Sequence, residues 1–286
     1  MTKIMNADKM TEISKDVINN LLEDKKEINR VPKLVIITAT EDSSSLRYVE
    51  NKKKLANEFG IEVDHIVFDK NCTNEEVEKE IIKLNLDNSV DGIILQLPVY
   101  DHLSNDLTYL ISYEKDVDGL TVESKGLLEL NKVAYVPCTP LGVILLLETY
   151  DIESDYLSGK NVVIIGRGET AGAPMSTLFR HYDANVTLLH SKTSKKDLEF
   201  YVKHADIVIS CVGKRHLLKA SWFKEDSIII GVGFEYDEDG KQHLDFEVDK
   251  VVDIGKAKLV TNRVNCTGKA TVVSLLLNTV SAYINK

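Results

Sequence analysis

The chain has 286 residues, 43% of them hydrophobic and 28% charged, the balance of a soluble globular protein of one large domain or two ordinary ones. Its 35 basic against 45 acidic residues leave a net charge of −10, which argues against nucleic acid or an anionic membrane surface as a partner. No apolar run is long enough to span a bilayer, and the opening residues MTKIMNADKM lack the apolar stretch of a secretory signal.

Met10, Ile13, Val17 and Leu21 recur at helical spacing and predict a first helix. Leu34 to Ile37 is a short, wholly apolar run rich in Val and Ile, the pattern of a buried parallel strand. Ser44 and Ser45 are candidate N-caps for a helix from Leu46 to Phe59, which Gly60 closes. Val63 to Phe68 reads as a second strand. Thr73 with Glu76 forms a capping-box pattern that opens another helix, and Gly92 to Leu97 reads as a third strand ending at Pro98. The first ~120 residues therefore alternate helix and strand, which implies a parallel sheet flanked by helices.

An apolar helix over Leu141 to Leu147 follows Pro140 and is expected to link two lobes. The alternation then restarts with a strand at Asn161 to Ile165, a helix at Thr170 to His181 and a strand at Asn185 to Leu189. A polar helix from Ser194 to His204 and strands at Asp206 to Ser210 and Ser227 to Val232 complete a doubly wound, Rossmann-type α/β pattern. Val272, Leu275, Leu276, Val280 and Tyr283 make a final helical stripe, expected to return to the first lobe. The domain reading is thus a three-layer α/β lobe over residues 1–140, completed by a helix over 270–286, and a nucleotide-binding lobe over 141–269.

Gly166-Arg167-Gly168-Glu169-Thr170-Ala171-Gly172 joins a strong strand to a helix. Glycines there let backbone approach a pyrophosphate, and the helix N-terminus offers it N–H groups. The spacing is GxGxxxG rather than GxGxxG, and a tight strand-to-helix turn is the alternative reading. NAD-binding folds usually carry an acid at the end of the next strand. Here that strand ends in His190-Ser191-Lys192-Thr193, with no acid, and Arg167 lies in the loop. This points to the 2′-phosphate of NADP, with NAD as the alternative.

In the first lobe, Tyr48 and Lys52 lie four apart and share a helix face. Gln96 interrupts the apolar strand Leu95-Gln96-Leu97-Pro98, and a buried amide must find a partner. Asp118 sits in the acid-rich turn Lys115-Asp116-Val117-Asp118-Gly119. The four cysteines, Cys72, Cys138, Cys211 and Cys266, show no CxxC pair, so reduced thiols in the cytoplasm are expected rather than disulfides or zinc. Cys266 reads as a small packing residue. The seven histidines lack metal-ligand spacing, and no metal site is expected.

Taken in order, Tyr48-Val49-x-x-Lys52, Leu95-Gln96-Leu97-Pro98, Lys115-Asp116-Val117-Asp118-Gly119, Pro137-Cys138-Thr139-Pro140-x-Gly142 and Gly166-Arg167 resemble the bifunctional methylenetetrahydrofolate dehydrogenase/methenyltetrahydrofolate cyclohydrolase family. The resemblance runs from about residue 5 to the C-terminus. It implies a folate in the cleft between two lobes, oxidised by NADP from the methylene to the methenyl form and then hydrolysed to 10-formyl-tetrahydrofolate. It implies catalytic roles for Lys52, Gln96, Tyr48 and Asp118: Asp118 orients the pterin, Tyr48 flanks its rings, and Lys52, held by Gln96, serves the hydrolytic step. Leu95, Leu97, Val264 and Gly268 join these four at the folate. Thr139, Gly166, Arg167, Gly168, Gly172, His190, Ser191, Gly213 and Phe234 are assigned to the cofactor. A homodimer through the nucleotide lobe is implied as well.

The sequence departs from the family pattern around the ligands. After Asp118-Gly119 the family's F-H-P-x-N-x-G becomes Leu120-Thr121-Val122-Glu123-Ser124-Lys125-Gly126. Near the C-terminus P-G-G-V-G-P-x-T becomes Val264-Asn265-Cys266-Thr267-Gly268-Lys269-Ala270-Thr271, and Gly168 stands where the nucleotide loop usually has Ser. Two other readings stay open at this point: a non-catalytic or monofunctional folate- or nucleotide-binding relative, and a different two-domain NADP-dependent dehydrogenase.

Overall fold

The computed structural model describes residues 1–25, 30–132 and 135–286. In chain order the elements are β1 (Lys3–Met5), α1 (Asp8–Asp24), β2 (Lys33–Thr38), α2 (Ser43–Glu58), β3 (Glu62–Val67), α3 (Asn74–Leu86), β4 (Gly92–Gln96), α4 (Val122–Glu129), α5 (Cys138–Glu148) and α6 (Ser154–Leu157). There follow β5 (Asn161–Ile165), α7 (Gly172–His181), β6 (Asn185–Leu189), α8 (Lys195–His204), β7 (Ile207–Ser210), β8 (Ile228–Gly231), β9 (Phe234–Tyr236), β10 (Gln242–Leu244), α9 (Val248–Ile254), β11 (Leu259–Thr261) and α10 (Thr267–Ile284). Short 3-10 turns lie at Asn105–Leu110, Tyr113–Lys115 and Ala220–Trp222.

The chain divides into two compact units, one formed by Met1–Thr11 with Thr139–Thr271, the other by Glu12–Cys138 with Val272–Lys286. Residues 1–11, read in the sequence as part of the first lobe, belong to the unit that contains the nucleotide pattern. The cause is β1, a three-residue strand too short to register as a pattern, which pairs in parallel with β11.

The Glu12–Cys138 unit holds a parallel sheet in the order β3-β2-β4. The run Leu34 to Ile37 is fully buried, as its uninterrupted Val and Ile content requires of a central strand. Val35, Ile37, Ile93 and Leu95 pack with Val77 and Ile81 of α3 in one core. The chain leaves β2 to one side for β3 and returns across it to β4. Their carboxyl ends therefore form a topological switch point, where Thr38 pairs with Gln96.

Caps place the helices. Asp42, not Ser44 or Ser45, caps α2, its carboxylate accepting the Ser45 N–H at 2.7 Å. An anion at a helix N-terminus outcompetes a hydroxyl, and the serines fall in the first turn instead. Gly60 ends that helix with φ +71°, a conformation that costs a glycine little. The capping box of α3 forms with both of its hydrogen bonds.

One helix face differs from its sequence pattern. In α1 the buried positions are Met10, Ser14 and Ile18, whereas Ile13 and Val17 are 47% and 43% exposed. Burial follows an i, i+4, i+8 row that includes a serine, which a reading of apolar residues alone passes over. By contrast Val272, Leu275, Leu276, Val280 and Tyr283 of α10 are all buried.

The Thr139–Thr271 unit is a six-stranded parallel sheet ordered β1-β11-β8-β7-β5-β6. Its reversal point lies between β5 and β7, whose carboxyl ends face a common crevice in such sheets. Val163, Ile165, Val208 and Ile229 pack on Trp222 and Phe246 beneath it. The β9–β10 hairpin, absent from the sequence reading, turns at Asp239-Gly240 with Gly240 at φ +74°. An Asp-Gly pair between short strands is the signal that marks it.

Candidate active site

The first group of interest assembles at the carboxyl ends of β2 and β4. Lys52 projects from α2 and is only 4% exposed, which is rare for an ammonium group. Its Nζ donates to Gln96 Oε1 at 3.0 Å and lies 4.8 Å from the centroid of the Tyr48 ring. The i, i+4 spacing of Tyr48 and Lys52 brings about that second contact. Gln96 in turn donates through Nε2 to the Leu97 carbonyl at 2.8 Å, so its amide is oriented with oxygen toward the lysine. The polar interruption in an apolar strand thus has both of its ends satisfied.

Electrostatics follow from burial. Loss of solvent pushes the Lys52 ammonium pKa below its usual value, and the nearby Asp118 and Cys138 only partly counter this. Asp118 is held above the usual carboxylate range, again chiefly by burial, with Lys52 and a hydrogen bond from Cys138 opposing the shift. Both groups are moved toward neutrality. The Cys138 thiol lies well above its normal range because it is buried beside Asp118 and is therefore protonated at neutral pH.

The turn carrying Asp118 is built by its neighbours. Asp116 accepts from Leu120 N at 3.1 Å, Thr121 N at 2.8 Å and Ser124 Oγ at 2.5 Å. Gly119 has φ +70°, and a Cβ there would lie 2.9 Å from Pro137 Cα. Asn278 of α10 donates to Val117 O at 2.8 Å and Val136 O at 3.0 Å, clamping the turn from below. The altered segment 120–126 forms the start of α4, with Thr121 as its N-cap.

Leu95, assigned to the folate in the sequence, has its side chain in the core, so only its backbone faces the strand end. The Leu97 carbonyl is engaged by Gln96. Cys138, Asn278 and Asp116 had no assigned role. Cys138 stood inside a quoted motif, but nothing in the sequence locates its thiol beside Asp118.

The second group lies in the Thr139–Thr271 unit. Gly166 follows β5 with φ +108°, and a Cβ there would sit 2.7 Å from the Cys211 carbonyl oxygen. A Cβ on Gly172 would lie 2.0 Å from the Gly166 carbonyl oxygen. These two glycines are sterically required. Gly168 has nothing within 4 Å of its Cβ position, and its replacement of the family serine opens space rather than straining the loop. The helix begins at Gly172, not Thr170, and no side chain caps it among the described residues. The backbone forms the cradle, which suits a pyrophosphate.

Arg167 and Ser191 are exposed near the strand ends. His190 Nδ1 accepts from Lys192 N at 3.2 Å, which leaves the neutral ring's proton on Nε2. Gly213 has φ +69° and packs against the Phe234 backbone. Thr139 Oγ1 accepts from Thr271 Oγ1 at 3.5 Å.

Val264, 57% exposed, and Gly268 belong to this unit. At the altered segment, Asn265 holds φ +54°, a left-handed conformation that asparagine tolerates where the family has glycine. Cys266 is buried, and that burial pushes its thiol up to about 12. It is a packing residue.

Family models match both parts of the chain. Residues 5–118 match the catalytic domain of tetrahydrofolate dehydrogenase/cyclohydrolase, and residues 137–286 match its NAD(P)-binding domain. A Staphylococcus aureus protein described as bifunctional protein FolD is 36% identical over 283 residues, spanning 99% of this chain and 96% of that one. The structure of the Campylobacter jejuni bifunctional enzyme FolD, a methylenetetrahydrofolate dehydrogenase/cyclohydrolase, is 33% identical with a TM-score of 0.93, covering 100% of both chains. The Trypanosoma brucei FolD structure, complexed with NADP cofactor and inhibitor, is 29% identical with a TM-score of 0.92, covering 99% of this chain and 97% of that one.

Proposed function

The chain belongs to the tetrahydrofolate dehydrogenase/cyclohydrolase family, and on that premise we propose how its own residues divide the work. The protein oxidises 5,10-methylenetetrahydrofolate to the methenyl form with NADP and hydrolyses that product to 10-formyl-tetrahydrofolate. The observation that carries the assignment of roles is the buried Lys52, held by Gln96 and Tyr48 with Asp118 close by.

Lys52 is the proton acceptor of the hydrolytic step. Burial lowers its pKa, which makes the free amine available to take a proton from the water attacking the methenyl carbon. Gln96 fixes the direction of Nζ, and the Tyr48 face offers a flat surface for a ring system. Asp118 faces the pterin and accepts from its amino and ring N–H groups. Ring opening needs no nucleophilic side chain, because the cationic carbon is already electrophilic.

The oxidation needs mainly orientation. The cradle of Gly166 and Gly172, which a single Cβ would fill, fits the pyrophosphate of a dinucleotide. Arg167, His190 and Ser191 would hold the 2′-phosphate, and Thr139, Gly168, Gly213 and Phe234 line the remainder of that site. Bound NADP supplies the hydride acceptor. Val264 and Gly268 are assigned to the folate as well.

Incubation with methylenetetrahydrofolate and NADP should yield NADPH and then the formyl product; no turnover with NADP or NAD would overturn the reading. We further propose a cytoplasmic homodimer. The four free thiols suit a reducing compartment, and no described helix is long and apolar enough to cross a membrane. Light scattering tests the assembly, since a mass of 32.1 kDa, that of one chain, would refute a dimer.

A further inference from the structure

Asp245, in the Thr139–Thr271 unit, is 0% exposed, and the groups that satisfy its carboxylate are a hydroxyl and backbone amides rather than a cation. Ser210 at the end of β7 donates its hydroxyl to Oδ2. Val212 N donates to the same oxygen at 3.1 Å, and Lys214 N donates to Oδ1 at 2.6 Å. Two N–H groups of one turn, on either side of Gly213, converge on one anion in the manner of a backbone nest. Here the chain's own side chain fills it.

The segment so gripped is the turn after β7, on the carboxyl edge of the sheet beside the glycine cradle. A Cβ on Gly233 would lie 2.3 Å from Gly213 N, and one on Gly166 would lie 2.7 Å from the Cys211 carbonyl oxygen. Three backbone segments are therefore packed without room to slide. Burial alone would disfavour a carboxylate at position 245, and its donors oppose that cost. A hydrophobic residue would fill the same space without it. Retaining a buried anion there is explained by what it holds in place.

We propose that Asp245 is a positioning residue for dinucleotide binding: it fixes the turn Val212–Lys214 so that the outer face of Gly213, with Phe234, is shaped before the cofactor arrives. This rests on the reading that the unit binds NADP. It also means that the amides of Val212 and Lys214 are spent on Asp245, so they do not hold cofactor phosphate, and the phosphate-binding amides come from the Gly166–Gly172 segment.

The test is NADPH titration by fluorescence, with both activities measured on wild type, Asp245→Asn and Ser210→Ala. Asparagine presents an NH2 to donors that need an acceptor. Asp245→Asn should raise the NADP Kd and KM roughly tenfold, leave kcat within about twofold, and leave nucleotide-free hydrolysis within about twofold. Ser210→Ala, which removes one donor of three, should raise KM about threefold. It decides the matter alone if Asp245→Asn does not fold. Equal loss of oxidation and hydrolysis, or wild-type NADPH affinity in both variants, overturns the positioning role. Failure of the wild type to bind NADPH would overturn the cofactor reading as well, which separates the two.

Discussion

Lys52 Nζ sits 3.0 Å from Gln96 Oε1, a buried ammonium whose direction is set by an amide that is itself tied to its neighbour's carbonyl. This arrangement fixes the nitrogen's position without adding a negative charge. A carboxylate in place of Gln96 would bind the ammonium more tightly and hold its proton.

The first prediction concerns the lysine. Lys52→Met should reduce hydrolysis of the methenyl substrate by about 10²–10⁴-fold, the usual contribution of a positioned base. Oxidation should fall less, because it rests on orientation. A hydrolysis rate equal to wild type would remove Lys52 from the mechanism.

The second concerns pH. With its pKa lowered by burial, Lys52 should give a rising limb in the hydrolysis rate whose midpoint lies below 10.5. Gln96→Glu should move that limb upward. The same shift affects stability with a definite sign. The unfolded chain binds this proton more tightly than the native state, so stability rises with pH between the folded pKa and 10.5. Lys52→Met should abolish that segment of the slope in urea melts; an unchanged slope would show that Lys52 is not its source.

The third concerns Asp118. Its carboxyl is raised by burial, so the charged form is disfavoured in the native state. Asp118→Asn should keep or increase stability at neutral pH while raising the folate KM about tenfold or more, since two N–H donors of the pterin then meet one acceptor. Unchanged folate affinity would leave Asp118 without an orienting role.

The fourth concerns Gly172. An added methyl would fall 2.0 Å from the Gly166 carbonyl oxygen, so Gly172→Ala must displace the loop. NADPH affinity should drop by about 10²-fold, the cost of a few kcal/mol of overpacking, while nucleotide-free hydrolysis persists. Retained affinity in a titration would place the cofactor elsewhere.

The fifth concerns cofactor choice. Arg167→Ala should lower the ratio of kcat/KM for NADP to that for NAD by about tenfold, as expected for removing one charge-assisted phosphate contact. An unaltered ratio would assign the discrimination to His190 and Ser191.

Much of this molecule was legible in its sequence, for reasons that differ from part to part. β2, β4 and β5 announce themselves because strands buried on both faces must be apolar throughout. The capping box at Thr73 and Glu76 is a local chemical pattern and survives into the structure unchanged. Gln96 stands out because an amide in an apolar strand needs a partner, and Lys52 because it shares a helix face with Tyr48 in a family motif; the structure makes each the other's partner. Other features depend on contacts distant in sequence. Asn278 reaches Val117 across 161 positions, and Asp245 reaches Ser210 across 35. No periodicity encodes such bonds. The face of α1 was misjudged because Ser14 shares burial with Met10 and Ile18, and hydrophobic patterning does not register a buried hydroxyl.

β1 has a consequence for any attempt to divide this protein. The stretch 137–286 matches a family model of its own, which makes it a natural fragment to express alone. That fragment would leave behind Lys3–Met5, and β11 would become an unprotected edge of parallel sheet. Exposed edges recruit other chains. Expressed by itself, the fragment should associate through β11, and a linker that restores Lys3–Met5 as a permuted extension should return it to a single species.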